Sequence, residues 1–123
     1  MTNEFTEEKR LPEFNKDLKK LKKKFRTIEE DLNNLIKYSL KNFHFNGLDQ
    51  GIVEIDDLSL FPQKFFKVRK FACRSLKGKG VKTGLRLIYK FDSETNILEL
   101  IEIYIKSDKK NENRERIFSN YKK

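Results

Sequence analysis

Residues 65–91 read FFKVRKFACRSLKGKGVKTGLRLIYKF, and the fold turns on how this stretch is interpreted. Residues 64–90 contain ten Lys and Arg and no Asp or Glu. Apolar side chains recur among them at every second position. In FKVRKF, Phe66 and Val68 fall on one side of an extended chain, and Lys67 and Arg69 on the other. In LRLIYKF, Leu85, Leu87, Tyr89 and Phe91 oppose Arg86, Ile88 and Lys90. After a turn at residues 92–96 (DSETN), ILELIEIYIK sets Ile101, Ile103 and Ile105 against Glu102, Tyr104 and Lys106. Three successive strands of an antiparallel sheet follow, with one face on a core and the other left to water. The watered face would carry Lys67, Arg69, Arg86, Lys90, Tyr104 and Lys106, with Glu102 as its one acid. Like charges on adjacent strands repel by up to about 1 kcal/mol per close pair. A face kept cationic at that cost has a use.

The core partner of the sheet lies upstream. LPEFNKDLKKLKKKF places Phe14, Leu18, Leu21 and Phe25 on one helical face, with Pro12 suited to a first helical position. TIEEDLNNLIKYSLKNFHF opens with Thr27 and Glu30 at capping-box spacing and continues with Ile28, Leu32, Leu35, Ile36 and Leu40 on one side. The two helices break near residues 26 and 27 and form a hairpin. NGLDQG is a loop signal, and IVEIDDL a short strand. The expected architecture is α+β: two N-terminal helices on a small, mostly antiparallel sheet, with a short C-terminal helix. The 123 residues suit one domain spanning 1–123.

Composition narrows the function classes. The net charge is +9, and it is blockwise. Residues 9–26 carry nine basic side chains against Glu13 and Asp17, whereas residues 42–63 hold Asp49, Glu54, Asp56 and Asp57 and no Lys or Arg. Such polarity fits a polyanionic partner, nucleic acid or an acidic protein. No apolar run reaches membrane-span length, and the polar MTNEFTEEKR start lacks the centre of a secretory signal. One cysteine excludes an internal disulfide, and one His with one Cys argues against a zinc site. A cytoplasmic protein without membrane association, metal or cofactor is expected. Cys73 reads as a small buried hydrophobe and His44 as a bystander at a helix end. Glu102 either orients Tyr104 or Lys106 or balances charge. The connection ACRSLKGKGVKTG lacks P-loop spacing and reads as a basic flap, in which glycines let backbone N–H groups approach a phosphate.

Two Lys-rich helices, then FKVRKF, GLRLIY and IEIYIKSDKK, then a last short helix, resemble the RelE/ParE superfamily of toxins from bacterial toxin–antitoxin pairs. The resemblance runs over roughly residues 14–117 and is sharpest in GLRLIY and IYIKSDK. In the RelE branch it implies an endoribonuclease that cuts mRNA at the ribosome without metal, partnered by an acidic antitoxin. In-line attack of the 2′-OH needs a proton acceptor, cations for the charged transition state and an acid for the leaving 5′ oxygen. The resemblance implies Lys67, Arg69, Arg86 and Lys106 as catalytic residues, with Arg86 holding the phosphate. A lysine among cations gives up its proton more readily, which suits Lys67 or Lys106 to the general base. Arg74, Lys77, Lys79, Lys82, Lys90, Tyr104, Lys109 and Tyr121 are the expected RNA contacts, Tyr121 by stacking. This chain departs from the pattern at Lys70, where RelE has an apolar residue, and in residues 106–110, where the RelE arginine has no clean equivalent. The alternatives are a non-catalytic ParE-like toxin that binds gyrase and a basic RNA-binding module.

Overall fold

Two long strands, β4 (Leu85–Asp92) and β5 (Ile97–Ile105), pair antiparallel across a tight turn and form the centre of the sheet. β3 (Phe65–Val68) adds to the far side of β4, and β2 (Ile52–Ile55) adds beyond it, both antiparallel. β1 (Glu7–Arg10) runs parallel along β5, which gives the order β1-β5-β4-β3-β2. The computed structural model describes residues 4–76 and 78–122. Phe66, Val68, Leu85, Leu87, Tyr89, Leu98, Leu100 and Ile103 bury one face of the sheet. Over it lie α1 (Pro12–Lys22) and a longer rod of α2 (Ile28–Asn34), a π-helical turn (Leu35–Leu40) and α3 (Lys41–Asn46). These helices contribute Phe14, Leu18, Leu21, Ile28, Leu32 and Leu40 to the core. The expected α+β class, helical pair and short C-terminal helix are all present. No helix among the described residues is long and apolar enough to cross a membrane.

The helix cap differs from expectation. Thr27 makes no side-chain capping bond to its own helix. Its hydroxyl instead bonds Asp31 Oδ2 at 2.7 Å and Ser75 Oγ at 2.8 Å, which fastens the 69–84 connection to α2. A serine across the chain offers the hydroxyl a tertiary partner in place of the local N–H.

β1 has no apolar alternation, and its EEKR side chains are mostly exposed. Backbone pairing with residues 97–100 holds it. Past its end the edge of β5 is closed by side chains. Ile103 N–H donates to Asp17 Oδ2 at 3.3 Å, and Ile101 C=O accepts from Arg116 Nη1 at 2.9 Å. Arg116 also grips Asp17 at 2.7 Å. Left unpaired, each buried backbone group would cost about 1–3 kcal/mol.

The second face is not left to water. β5 carries a bulge: Ile88 pairs with Glu102 and Tyr89 with Leu100, so Ile101 has no partner. Glu99 and Glu102, three residues apart, therefore both reach the open face. They anchor α4 (Arg114–Tyr121) across its lower half. Glu102 accepts from Asn113 N at 2.8 Å, and Tyr121 OH donates to Glu99 at 2.6 Å. Tyr121 packs on Phe65 with ring centroids 5.1 Å apart, and Ile117 is fully buried. Ile117→Ala is expected to lower the unfolding free energy by about 2–5 kcal/mol in urea titrations. Ser119→Ala, on the exposed side of the same helix, should stay within about 0.5 kcal/mol of wild type.

Candidate nucleic-acid interface

With α4 over the lower rows, the upper corner of the face stays open. Arg69 follows β3 directly and donates its backbone N–H to Gly51 O at 2.8 Å. Arg86, the second residue of β4, stands opposite Tyr104 of β5. Lys106 leaves β5 with its N–H on Gly84 O at 2.7 Å. Lys67, Arg69, Arg86 and Lys106 thus line one cavity of about 240 Å³, joined by Lys110, Val53 and Asn111. Among the described residues no carboxylate lines it.

The four cations are held differently. Arg86 Nη1 donates to the carbonyls of Arg69 (3.2 Å) and Leu85 (3.1 Å), which brace the guanidinium from the backbone. Its Nε and Nη2 make no hydrogen bond among the described residues. Arg69, Arg86, Lys106 and Lys110 form no ion pair among the described residues. Lys67 does: its Nζ donates to Glu112 Oε1 at 3.0 Å. The Glu112 side chain is 6% exposed, and Oε2 accepts from Arg114 Nε at 3.0 Å. Arg114 in turn reaches Asp57 at 2.9 Å. Burial pushes the Glu112 carboxyl up, but its backbone hydrogen bond, Lys67 and Arg114 outweigh that and hold it below the ordinary 4.5.

Tyr104 is 6% exposed, and its hydroxyl is buried with no partner among the described residues. Burial first, and then the Glu112 charge, push the phenol up to about 12, against an opposing effect of Arg86. Tyr104 is therefore a neutral phenol beside Arg86, too enclosed to serve as a stacking platform.

The other expected contacts scatter. Arg74 is clasped by Glu30 and Asp31 of α2. Lys90 lies over the Tyr121 ring at 5.2 Å, and the Tyr121 ring and hydroxyl are both engaged inside the protein. The stacking expected of Tyr121 is thus taken by Phe65. Lys109 is paired with Glu102 and sits 5.0 Å over the Tyr104 ring. Glu102 therefore serves Lys109 and α4, orienting neither Tyr104 nor Lys106. Lys79 and Lys82 are exposed and line no part of this cavity. Lys77 lies outside the described residues. The basic connection is fastened at its base, where Thr83 Oγ1 donates to Phe71 O at 2.6 Å.

Cys73 is buried, and burial raises its thiol pKa above the ordinary value. His44 Nε2 and Tyr89 OH share a 2.7 Å hydrogen bond, and Phe43, Phe66 and Phe91 surround the imidazole. Burial lowers that imidazole to about 4. Both residues belong to the core side, away from the cationic corner. The residues missed from sequence are Val53, Lys110, Asn111 and Glu112. Val53 had a signal, since alternation in IVEI sets it beside Lys67. Glu112 had none, because its place depends on how α4 docks.

This chain matches no family model, no curated protein and no solved structure.

A carboxyl whose pKa is depressed by folding stabilises above its unfolded pKa, and that stability is lost as pH falls through the folded value. Glu112→Gln should cost about 1–3 kcal/mol at pH 7, because Lys67 loses its buried partner. The variant should also lose less stability than wild type between about pH 5 and pH 3. Urea denaturation of both proteins at three pH values checks this, and parallel pH curves would contradict it.

Proposed function

We propose that this protein is the toxin of a toxin–antitoxin pair, a RelE-like endoribonuclease that cuts mRNA without metal. The observation that carries the reading is the convergence of Lys67, Arg69, Arg86 and Lys106 on one cavity without a lining carboxylate. A phosphodiester is the ligand such a corner suits. Arg is planar and presents paired N–H donors to phosphate oxygens.

In the proposed reaction the substrate's 2′ oxygen bonds to phosphorus and the bond to the 5′ oxygen breaks. The products are a 2′,3′-cyclic phosphate and a free 5′-OH. Arg86, braced by two carbonyls, holds the non-bridging oxygens as charge builds on them, with Arg69 beside it. Lys67, tied to Glu112, serves as a fixed cation. Lys106 takes the 2′ proton, and solvent water gives a proton to the 5′ oxygen as it leaves. The RelE-like reading also carries the ribosome as the place of cleavage and an acidic antitoxin segment as the partner. That segment would cover the corner in a complex loosened by salt.

Expression of wild type and Arg86→Ala in cells, with mapping of mRNA 5′ ends, tests the reading. New 5′ ends are expected from the wild type, with about 10²–10³-fold less cleavage from the variant. Growth arrest with intact mRNA and blocked supercoiling would overturn the nuclease and favour a gyrase-binding, ParE-like protein.

A further inference from the structure

The cationic cavity has a neighbour. A groove of about 540 Å³ lies between the start of β2 and the 69–84 connection. Val53, Arg69 and Arg86 line both spaces, so the two guanidinium groups stand on their common wall. The groove differs in character from the cavity. Val53 and Val81 are exposed apolar side chains within it, and Lys70 and Lys82 stand at its sides. Gly51, at φ 69°, lets the Lys70 stem lie across it, 2.5 Å from where a Cβ would sit. Asp49 is its one acidic lining residue among those described, and the Oδ1 of that side chain is already held by Gly51 N–H at 2.9 Å.

Size separates the two spaces. A small-molecule site takes roughly 300–1,000 Å³. The groove falls within that range, and the cavity, at about 240 Å³, falls below it. The cavity, lined by five cations, suits a phosphate, whereas the groove, with Val53 and Val81 on its wall and cations at its edge, suits the larger and less polar nucleoside. We infer that the groove formed by Val53, Val81 and Lys82 is a base subsite. It receives one nucleoside flanking the phosphodiester that Arg69 and Arg86 hold, so that a dinucleotide step of single-stranded RNA spans the two spaces. This rests on the RNA-cutting reading above. It adds Val53 and Val81 to Lys82, already an expected RNA contact, as the residues that position the RNA chain.

Val81→Trp on the exposed connection fills the groove and leaves all four cations in place. A fluorescein-labelled, uncleavable 2′-O-methyl RNA hexamer of mixed sequence, and an abasic hexamer with the same phosphates, are titrated by anisotropy into wild type, Val81→Trp and Arg86→Ala. The base-bearing hexamer should bind Val81→Trp at least tenfold more weakly than wild type, and the abasic hexamer should bind both proteins equally. Arg86→Ala should weaken both ligands. Lys82→Ala, a second groove variant without added bulk, should lose affinity for both hexamers, because the phosphates they share meet this cation. Base-bearing RNA binding Val81→Trp as tightly as wild type would overturn the subsite while leaving the nuclease reading intact, and so would equal weakening of both hexamers by Val81→Trp. Unchanged binding of both hexamers by Arg86→Ala would remove the reading beneath it.

Discussion

Positive charges placed side by side on a sheet repel, and the open face is organised around containing that repulsion. Arg86 stands next to Arg69, whose carbonyl it holds, with Lys106 and Lys110 lining the same cavity. Carboxylates would neutralise them and would also occupy the place of an anionic ligand. The fold uses neutral acceptors at the most central position instead. Two backbone carbonyls take Nη1 of Arg86, fixing the guanidinium while its remaining donors stay available. Backbone oxygens carry only partial charge, so they orient the cation without cancelling it. Glu112 pairs with Lys67 at the inner margin.

The division of the face depends on β5. The bulge at Ile101 turns Glu99 and Glu102 to the same side, and those two acids take the hydroxyl of Tyr121 and the N–H of Asn113. Without the extra residue, one of the acids would point into the helices, and α4 would lose an anchor. Arg116 then ties α4 around the edge of the sheet to Asp17 of α1. The lower half of the face becomes a second, smaller core built on Phe65, Ile88, Ile117 and Tyr121, and the upper half remains cationic and accessible. One local irregularity separates a packed half from an open cationic half on a single surface.

How much of this was legible in the sequence follows from what sets each feature. The alternation in residues 65–68 and 85–91 arises from the two-residue period of a strand, so the grouping of Lys67, Arg69 and Arg86 could be read directly. Phe14, Leu18 and Leu21 mark the buried side of α1 for the same kind of reason. β1 was not legible, since EEKR is held by backbone pairing and carries no apolar pattern. The fates of Lys90 and Tyr121 were hidden because strand alternation assigns a face and says nothing of what later covers it. Arg74 looked like a free cation in a basic run until tertiary structure brought Glu30 and Asp31 beside it. Thr27 fitted a local capping pattern, yet Ser75, 48 residues away, took its hydroxyl. Short-range periodicity was readable throughout, and partners distant in sequence were not.

The central claim is that RNA phosphate meets this molecule at the unpaired arginines of the corner. Titration of 15N-arginine-labelled protein with 2′-O-methyl RNA, followed through the Arg Nε–Hε signals, tests it most directly. The account predicts that Arg69 and Arg86 shift first and furthest, and that Arg74, Arg114 and Arg116, already held by carboxylates, stay nearly still. Shifts concentrated on Arg26, in the turn between α1 and α2, with Arg69 and Arg86 unmoved, would contradict it.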